Sequence, residues 1–237
     1  MKNSTKEIIN EINTYRDESK AAFLPRFFKT GKGEYGEGDQ FIGVGVPNLR
    51  IVAKKHFDAD FDTLRELLAS PYHEYRLTAL LALTYRYAKL KDHTSRETCV
   101  NFYVSQVDAI NNWDLVDLSC YKILGHWLFD KDKQLLYDWA KENHLWKQRI
   151  AMISCMHFVK QGEFKDALAI ADLLQHHPHD LIHKAVGWIL REIGKEDEQL
   201  LIDYLPPRYK EMPRTMLRYA IERFEEGKRK AFLNSMI

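Results

Sequence analysis

The chain reads as all-α, an α-solenoid of antiparallel helix pairs of the HEAT or armadillo kind, with a concave face along its length. Three observations carry that reading. From Tyr72 to His177 there is no proline and only two glycines, Gly125 and Gly162, while apolar residues recur at helical spacing throughout. Capping signals stand where helices should start, and no segment alternates polar and apolar residues with hairpin chemistry at its end. The intervals between these signals give short helices joined by brief links, the element lengths of stacked helix pairs. A compact multi-helix bundle is the alternative that pattern alone leaves open.

The elements follow in order. Ser4-Thr5-Lys6-Glu7 matches a capping box, in which hydroxyl and carboxylate each satisfy an orphan amide, and it opens a helix over 4–15. A second helix over 18–29 runs up to a glycine cluster, since six of the eleven glycines lie between Gly31 and Gly45. Val46-Pro47 opens 47–56, because the first helical turn loses nothing by proline's missing N–H. After 61–69, Ser70-Pro71 opens 71–89 in the same way. Thr94-Ser95-Arg96-Glu97 repeats the capping box ahead of 95–109. The stretch poor in breakers then holds 112–128, 132–143, 145–161 and 163–175, and the last helices are 180–194, 197–204, 213–225 and 227–235. A single domain over residues 1–237 is long enough to bury a core of its own.

Composition narrows the classes. Apolar residues make up 45% of the chain and charged residues 29%, a globular balance. Lys and Arg number 35 against 34 Asp and Glu, which excludes a uniformly basic nucleic-acid coat but leaves room for a local basic groove. Cys99, Cys120 and Cys155 are odd in number and far apart, so they imply reduced thiols and neither a disulfide framework nor a zinc site. The first sixteen residues lack a signal-peptide core, and no apolar run approaches the ~18 residues of a membrane span. A cytoplasmic protein without membrane contact is expected.

Two motifs invite cofactors and fail on context. Gly31-Lys-Gly33-Glu-Tyr-Gly36 spells G-x-G-x-x-G, yet it follows a helix end, no helix follows at once, and Glu34, Glu37 and Asp39 repel a pyrophosphate. His176-His177-Pro178-His179 with His183 places two imidazoles at i, i+4, but no carboxylate or thiolate completes a metal set, so a solvated turn is expected. G-x-S-x-G, Walker and H-E-x-x-H motifs are absent from the sequence. Neither a metal nor a nucleotide cofactor is expected.

One constellation does carry chemistry. Trp113 and Asp117 are i, i+4 and share a helix face, with Asp114 about a third of a turn away. Trp188 and Arg191 share another face at i, i+3, and Arg149 stands in the first turn of a third helix. Spacing alone leaves two readings. In one, the tryptophans pack a core while Asp and Arg sit in water. In the other, a carboxylate flanked by aromatic faces and ringed by basic groups suits a cationic substrate attached to a phosphate backbone.

Five segments in register resolve a resemblance. Phe41-Ile-Gly-Val-Gly-Val-Pro47-Asn-Leu-Arg50, Trp113-Asp-Leu-Val-Asp117, Trp146-Lys-Gln-Arg149, Lys184-Ala-Val-Gly-Trp188-Ile-Leu-Arg191-Glu192 and Met212-Pro-Arg-Thr-Met-Leu-Arg-Tyr-Ala-Ile-Glu222 resemble the AlkD-type DNA alkylation repair glycosylases. The likeness runs from about residue 20 to the C-terminus. It implies a HEAT-like solenoid whose concave basic face holds duplex DNA. It also implies excision of cationic N3- and N7-alkylated purines without flipping the base. On that resemblance Asp117 matches the catalytic carboxylate, Trp113 and Trp188 match the aromatic residues against the lesion's deoxyribose, and Arg149 matches the basic residue beside them. Pro47 with its helix start, Arg50, Lys184 and Arg191 fall at DNA contacts. The chain departs from the family pattern at Gly45 and Val46, where polar side chains are usual, which hands any phosphate contact there to backbone amides.

Charge placement agrees. From Leu205 to Lys230 eight Lys/Arg stand against four Glu, and Arg214 and Arg218, one turn apart, are expected to face a DNA backbone. The expected protein is a monofunctional glycosylase acting alone as a monomer, with alkylated double-stranded DNA as its partner. A non-catalytic module that reads DNA shape and a protein–protein scaffold are the alternatives from other classes.

Overall fold

Ser4 opens the first helix through the box its sequence encodes. Its hydroxyl accepts the Glu7 amide at 3.3 Å, and the Glu7 carboxylate accepts the Ser4 amide at 3.4 Å. The computed structural model describes residues 4–235, and among these every regular element is helical apart from an isolated bridge between Gln40 and Tyr72. The all-α expectation holds. The helices gather into two compact units, one ending at Ile123 and one beginning at Leu124.

The first unit comprises α1 (Thr5–Asn13), α2 (Glu18–Phe27), α3 (Val46–Lys55), α4 (Phe61–Leu68), α5 (His73–Lys89), α6 (His93–Ser105) and α7 (Trp113–Asp117). α5 is its axis: Leu77, Leu80, Leu81 and Leu83 are buried, and α3 and α4 pack against it. α1 lies on α3 and α4, fastened where Glu11 Oε2 meets Lys55 Nζ at 2.8 Å and the buried His56 Nε2 at 2.7 Å. Two helix starts differ from the sequence expectation. α5 begins at His73 rather than Pro71, because the Gln40 backbone pairs with Pro71 O and with His73 N, both at 2.9 Å, and holds Tyr72 extended. α6 begins at His93, because the Asp92 carboxylate accepts the Ser95 amide at 2.8 Å and takes the capping role expected of Thr94.

The helix expected over 112–128 is also broken. α7 is followed by a π turn, Tyr121–Gly125, at which the chain passes into the second unit. The Ser119 hydroxyl donates back to the Leu115 carbonyl at 2.6 Å, a bond that competes with the regular ladder and bends helices.

The second unit holds α8 (His126–Leu128), α9 (Gln134–Lys141), α10 (Leu145–Lys160), α11 (Lys165–Leu174), α12 (Asp180–Glu196), α13 (Glu198–Tyr204), α14 (Arg214–Ala220) and α15 (Glu226–Leu233). Packing is local in sequence: α10 touches α9, α11 and α12, and α12 touches α13 and α14. That order is the one expected of stacked helix pairs. α10 buries twelve of its sixteen residues, from Trp146 to Val159, which suits a central helix covered on several sides. α12 comes close to α14 at Gly187, where an added Cβ would lie 2.5 Å from both the Met216 carbonyl oxygen and the Tyr219 Cβ. Cys99, Cys120 and Cys155 are all buried thiols outside any disulfide. Among the described residues no helix is long and apolar enough to cross a membrane.

Candidate functional site

In the first unit the chemistry gathers at the head of α7. Asn112, fully buried, uses its side-chain oxygen to accept the Trp113 amide at 2.8 Å and so fixes where the helix begins. Trp113 and Asp117 then stand one turn apart on the same face, both half-buried. The indole lies on a bed of aromatic rings: it stacks on Phe28 with centroids 5.2 Å apart and planes at 13°, and Phe27 meets it edge-on at 5.9 Å. Sequence spacing pairs Trp113 with Asp117 but says nothing of Phe27 or Phe28, which come from the end of α2 and the residue beyond it.

Beneath α7 is a buried charge network that the sequence does not disclose. His73 Nε2 lies 2.9 Å from Asp114 Oδ2 and Nδ1 lies 3.1 Å from Asp39 Oδ2. Asp39 also accepts from Arg76 at 2.6 Å and from the Asn112 amide at 3.2 Å. Burial opposes the charged form of His73. The Asp114 carboxylate, with the hydrogen bonds to Asp114 and Asp39, overcomes it and raises the imidazole pKa from 6.5 to about 9. For Asp39, burial pushes upward, yet His73 and Arg76 hold the carboxyl below its ordinary value. The rings of Phe28 and Phe41 lie 4.8 and 5.0 Å from the imidazole and close the network from water.

A second buried carboxylate shapes the segment leading into α3. Glu74 accepts the amides of Ile42 and Val44 at 3.1 and 3.3 Å and that of Gly43 at 2.8 Å. Gly43 has φ +82°, and a Cβ there would lie 1.9 Å from the Asp17 carbonyl oxygen, so only glycine fits. The segment delivers Gly45 as the cap of α3 without any side-chain cap bond, with Pro47 in the first turn and exposed. The amides of that turn are thus free of competing side-chain acceptors, and Arg50, a turn further on, is half-buried and makes no ion pair among the described residues.

In the second unit Arg149 is buried, with 4% of its surface exposed, and its guanidinium donates to the Leu181 carbonyl in the first turn of α12. Trp188 is half-buried on α12 and its indole N–H donates to Glu192 at 3.2 Å. Glu192 also binds Lys195 at 2.7 Å and lies 3.5 Å from Arg191 Nε. Arg191 further pairs with Glu222, and Lys184 pairs with Asp180 at 2.7 Å. Glu192, read in sequence only as the end of a motif, is therefore what orients Trp188. The structure sorts the basic tail as well. Arg208 is held by Asp172 at 2.7 Å, Lys228 by Glu198 at 2.6 Å and Lys230 by Glu226 at 2.7 Å. Arg214 and Arg218 are exposed and make no ion pair among the described residues.

The two tempting motifs are built into the scaffold. The Gly31 and Gly33 amides donate to Glu34 and Glu37, each at 2.8 Å, so the loop's own carboxylates hold the donors that a phosphate would need. His177 Nε2 meets Gln148 at 2.9 Å while its Nδ1 accepts the His179 amide at 3.0 Å, and His179 Nδ1 accepts the Leu181 amide at 3.1 Å. The His179 imidazole caps α12, and His177 braces the residue that does so. Among the described residues no group of three or more His, Cys, Asp or Glu side chains is placed to hold a metal ion.

Comparison with known proteins gives the family and the fold. A family model described as "DNA alkylation repair enzyme" matches residues 8–224. A solved structure titled a predicted DNA alkylation repair enzyme from Enterococcus faecalis shares the fold, with a TM-score of 0.68 at 14% identity over 89% of this chain and 97% of that one. No curated protein matches the chain.

Proposed function

Because the chain belongs to the DNA alkylation repair enzyme family, we propose that it is a monofunctional DNA glycosylase. Its substrates are cationic N3- and N7-alkylated purines in duplex DNA, and its reaction hydrolyses the N-glycosidic bond without flipping the base. The observation that carries this reading is the presentation of Asp117 one turn from Trp113 on a short helix whose start and aromatic bed are both fixed.

The chemistry follows from the substrate. An N3- or N7-alkylpurine already bears a positive charge, so the leaving group needs no protonation. What needs stabilising is the positive charge that grows on the deoxyribose as the bond breaks. The Asp117 carboxylate does this electrostatically and orients the attacking water. The Trp113 face adds cation–π attraction to the sugar, about 0.5–2 kcal/mol, and the Trp188 face is assigned the same kind of contact. Arg149 sets the start of α12 through the Leu181 carbonyl, and its place beside the reacting sugar is part of the proposal. The helix start at Pro47, which no side chain caps, together with Arg50, Lys184, Arg191, Arg214 and Arg218, is assigned to DNA phosphates. The protein acts as one functional domain and a monomer in the cytoplasm, at the nucleoid, without metal or nucleotide.

Release of N7-methylguanine from a defined duplex under single-turnover conditions tests the reading. Asp117→Asn should slow release by on the order of 10²–10³ while DNA affinity stays nearly unchanged. Trp113→Ala and Trp188→Ala should each cost less. Equal rates for Asp117→Asn and wild type remove the carboxylate mechanism, and tight binding without release by either makes the protein a DNA-reading module instead.

A further inference from the structure

We propose that His73 is a positioning residue: as an imidazolium clamped between Asp39 and Asp114, it holds the first turn of α7 so that Trp113 and Asp117 are presented for excision. The proposal rests on the glycosylase reading for its reaction but on the geometry of the first unit for its clamp.

Both ring nitrogens of His73 face carboxylate oxygens, at 2.9 and 3.1 Å, so both must carry protons if both carboxylates are charged. The two aspartates are not equally dependent on that charge. Asp39 keeps Arg76 and Asn112 as further donors. Asp114 is only 5% exposed, and among the described residues its second oxygen, Oδ1, has no hydrogen-bond partner and His73 is its ion-pair partner. Removing the proton would turn a ring lone pair towards one carboxylate and leave a buried charge unpaired next to Trp113 in the chain. Relief would come from moving the short helix that also carries Asp117.

The other groups around the ring do not replace that proton. From its own helix His73 meets Arg76 and Glu74, from the preceding loop Asp39, from the start of α7 Asp114, and from Phe28 and Phe41 only uncharged rings. Its pKa is raised, so the clamp is complete below the ordinary histidine value of 6.5 and is lost as pH rises through about 9. Neutral conditions leave it charged.

The test compares wild type with His73→Gln, His73→Arg and the charge-rebalanced pair His73→Gln with Asp114→Asn. At pH 7, His73→Gln should slow single-turnover release of N7-methylguanine on the order of 10- to 100-fold with DNA affinity retained. His73→Arg, which keeps the charge and two donors, and the rebalanced pair should recover most of that rate; a side chain that merely fills space would not be rescued this way. A second readout needs no activity. With 5-fluorotryptophan in the five tryptophan positions, the Trp113 fluorine resonance, assigned from Trp113→Phe, should titrate with a midpoint near 9 in wild type and stay fixed in His73→Arg. If the resonance ignores pH and His73→Gln alike, or if His73→Gln releases base at the wild-type rate, the clamp is overturned and the glycosylase reading stands. If wild type releases no base while the resonance titrates, the glycosylase reading falls and the clamp on Trp113 stands.

Discussion

At Glu74 a buried carboxylate does what a neighbouring strand does in a sheet: it collects the amides of three successive residues, Ile42, Gly43 and Val44, that have turned away from any helix. Burial pushes its pKa up and those amides draw it back, so the group is held by the segment as much as it holds it. Glu74→Ala would strand buried donors at a site closed to water. We expect it to lower unfolding stability by about 3 kcal/mol or more, with Glu74→Gln costing less because one acceptor remains. Urea titration of the variants measures this directly. Residues of this kind mark the limit of what the sequence discloses. Trp113 and Asp117 could be paired from spacing because a helix repeats locally, and both stand on α7 as expected. His73 could not be joined to Asp39 and Asp114, since 34 and 41 positions separate them and only tertiary folding brings them together. Arg149 was legible as a first-turn arginine, but its burial under α12 was not.

At the scale of elements, α12 and α14 carry most of the second unit's candidate residues, and their spacing is set at Gly187. A methyl group there would meet backbone oxygen and a Cβ at 2.5 Å, neither of which can swing aside. Gly187→Ala is therefore expected to push α14 outward, lowering stability by roughly 1–3 kcal/mol and weakening DNA binding through displaced Arg214 and Arg218. Both effects in one variant, seen by thermal melting and a binding isotherm, would tie the packing to the interface; normal binding in a destabilised variant would separate them. Element ends were less legible than element existence. Asp92 displaced Thr94 as a cap, and the Gln40 backbone displaced Pro71, because competing acceptors and a through-space bridge decide where a helix starts.

For the whole molecule, a near-neutral chain binds DNA only if its positive groups are sorted in space. Several cations of the tail are neutralised internally by Asp172, Glu198 and Glu226, while Arg214 and Arg218 are among those that stay exposed and available to a polyanion. Replacing both with alanine should reduce the slope of log binding constant against log salt by about two, one for each phosphate no longer neutralised. An unchanged slope would place the DNA elsewhere. Net charge gave no hint of this sorting, because a total of +1 is the same whether ion pairs are internal or shared.

The burial of the three thiols has its own consequence. Cells that need alkylation repair contain soft electrophiles, and thiolates are the nucleophiles in a protein most open to them. Cys99, Cys120 and Cys155 are each no more than 1% exposed, and burial raises the Cys99 pKa, keeping that sulfur protonated. A folded molecule should leave a thiol reagent almost unconsumed and titrate three equivalents only once denatured. The protein would then persist unmodified through the same chemical exposure that creates its substrate.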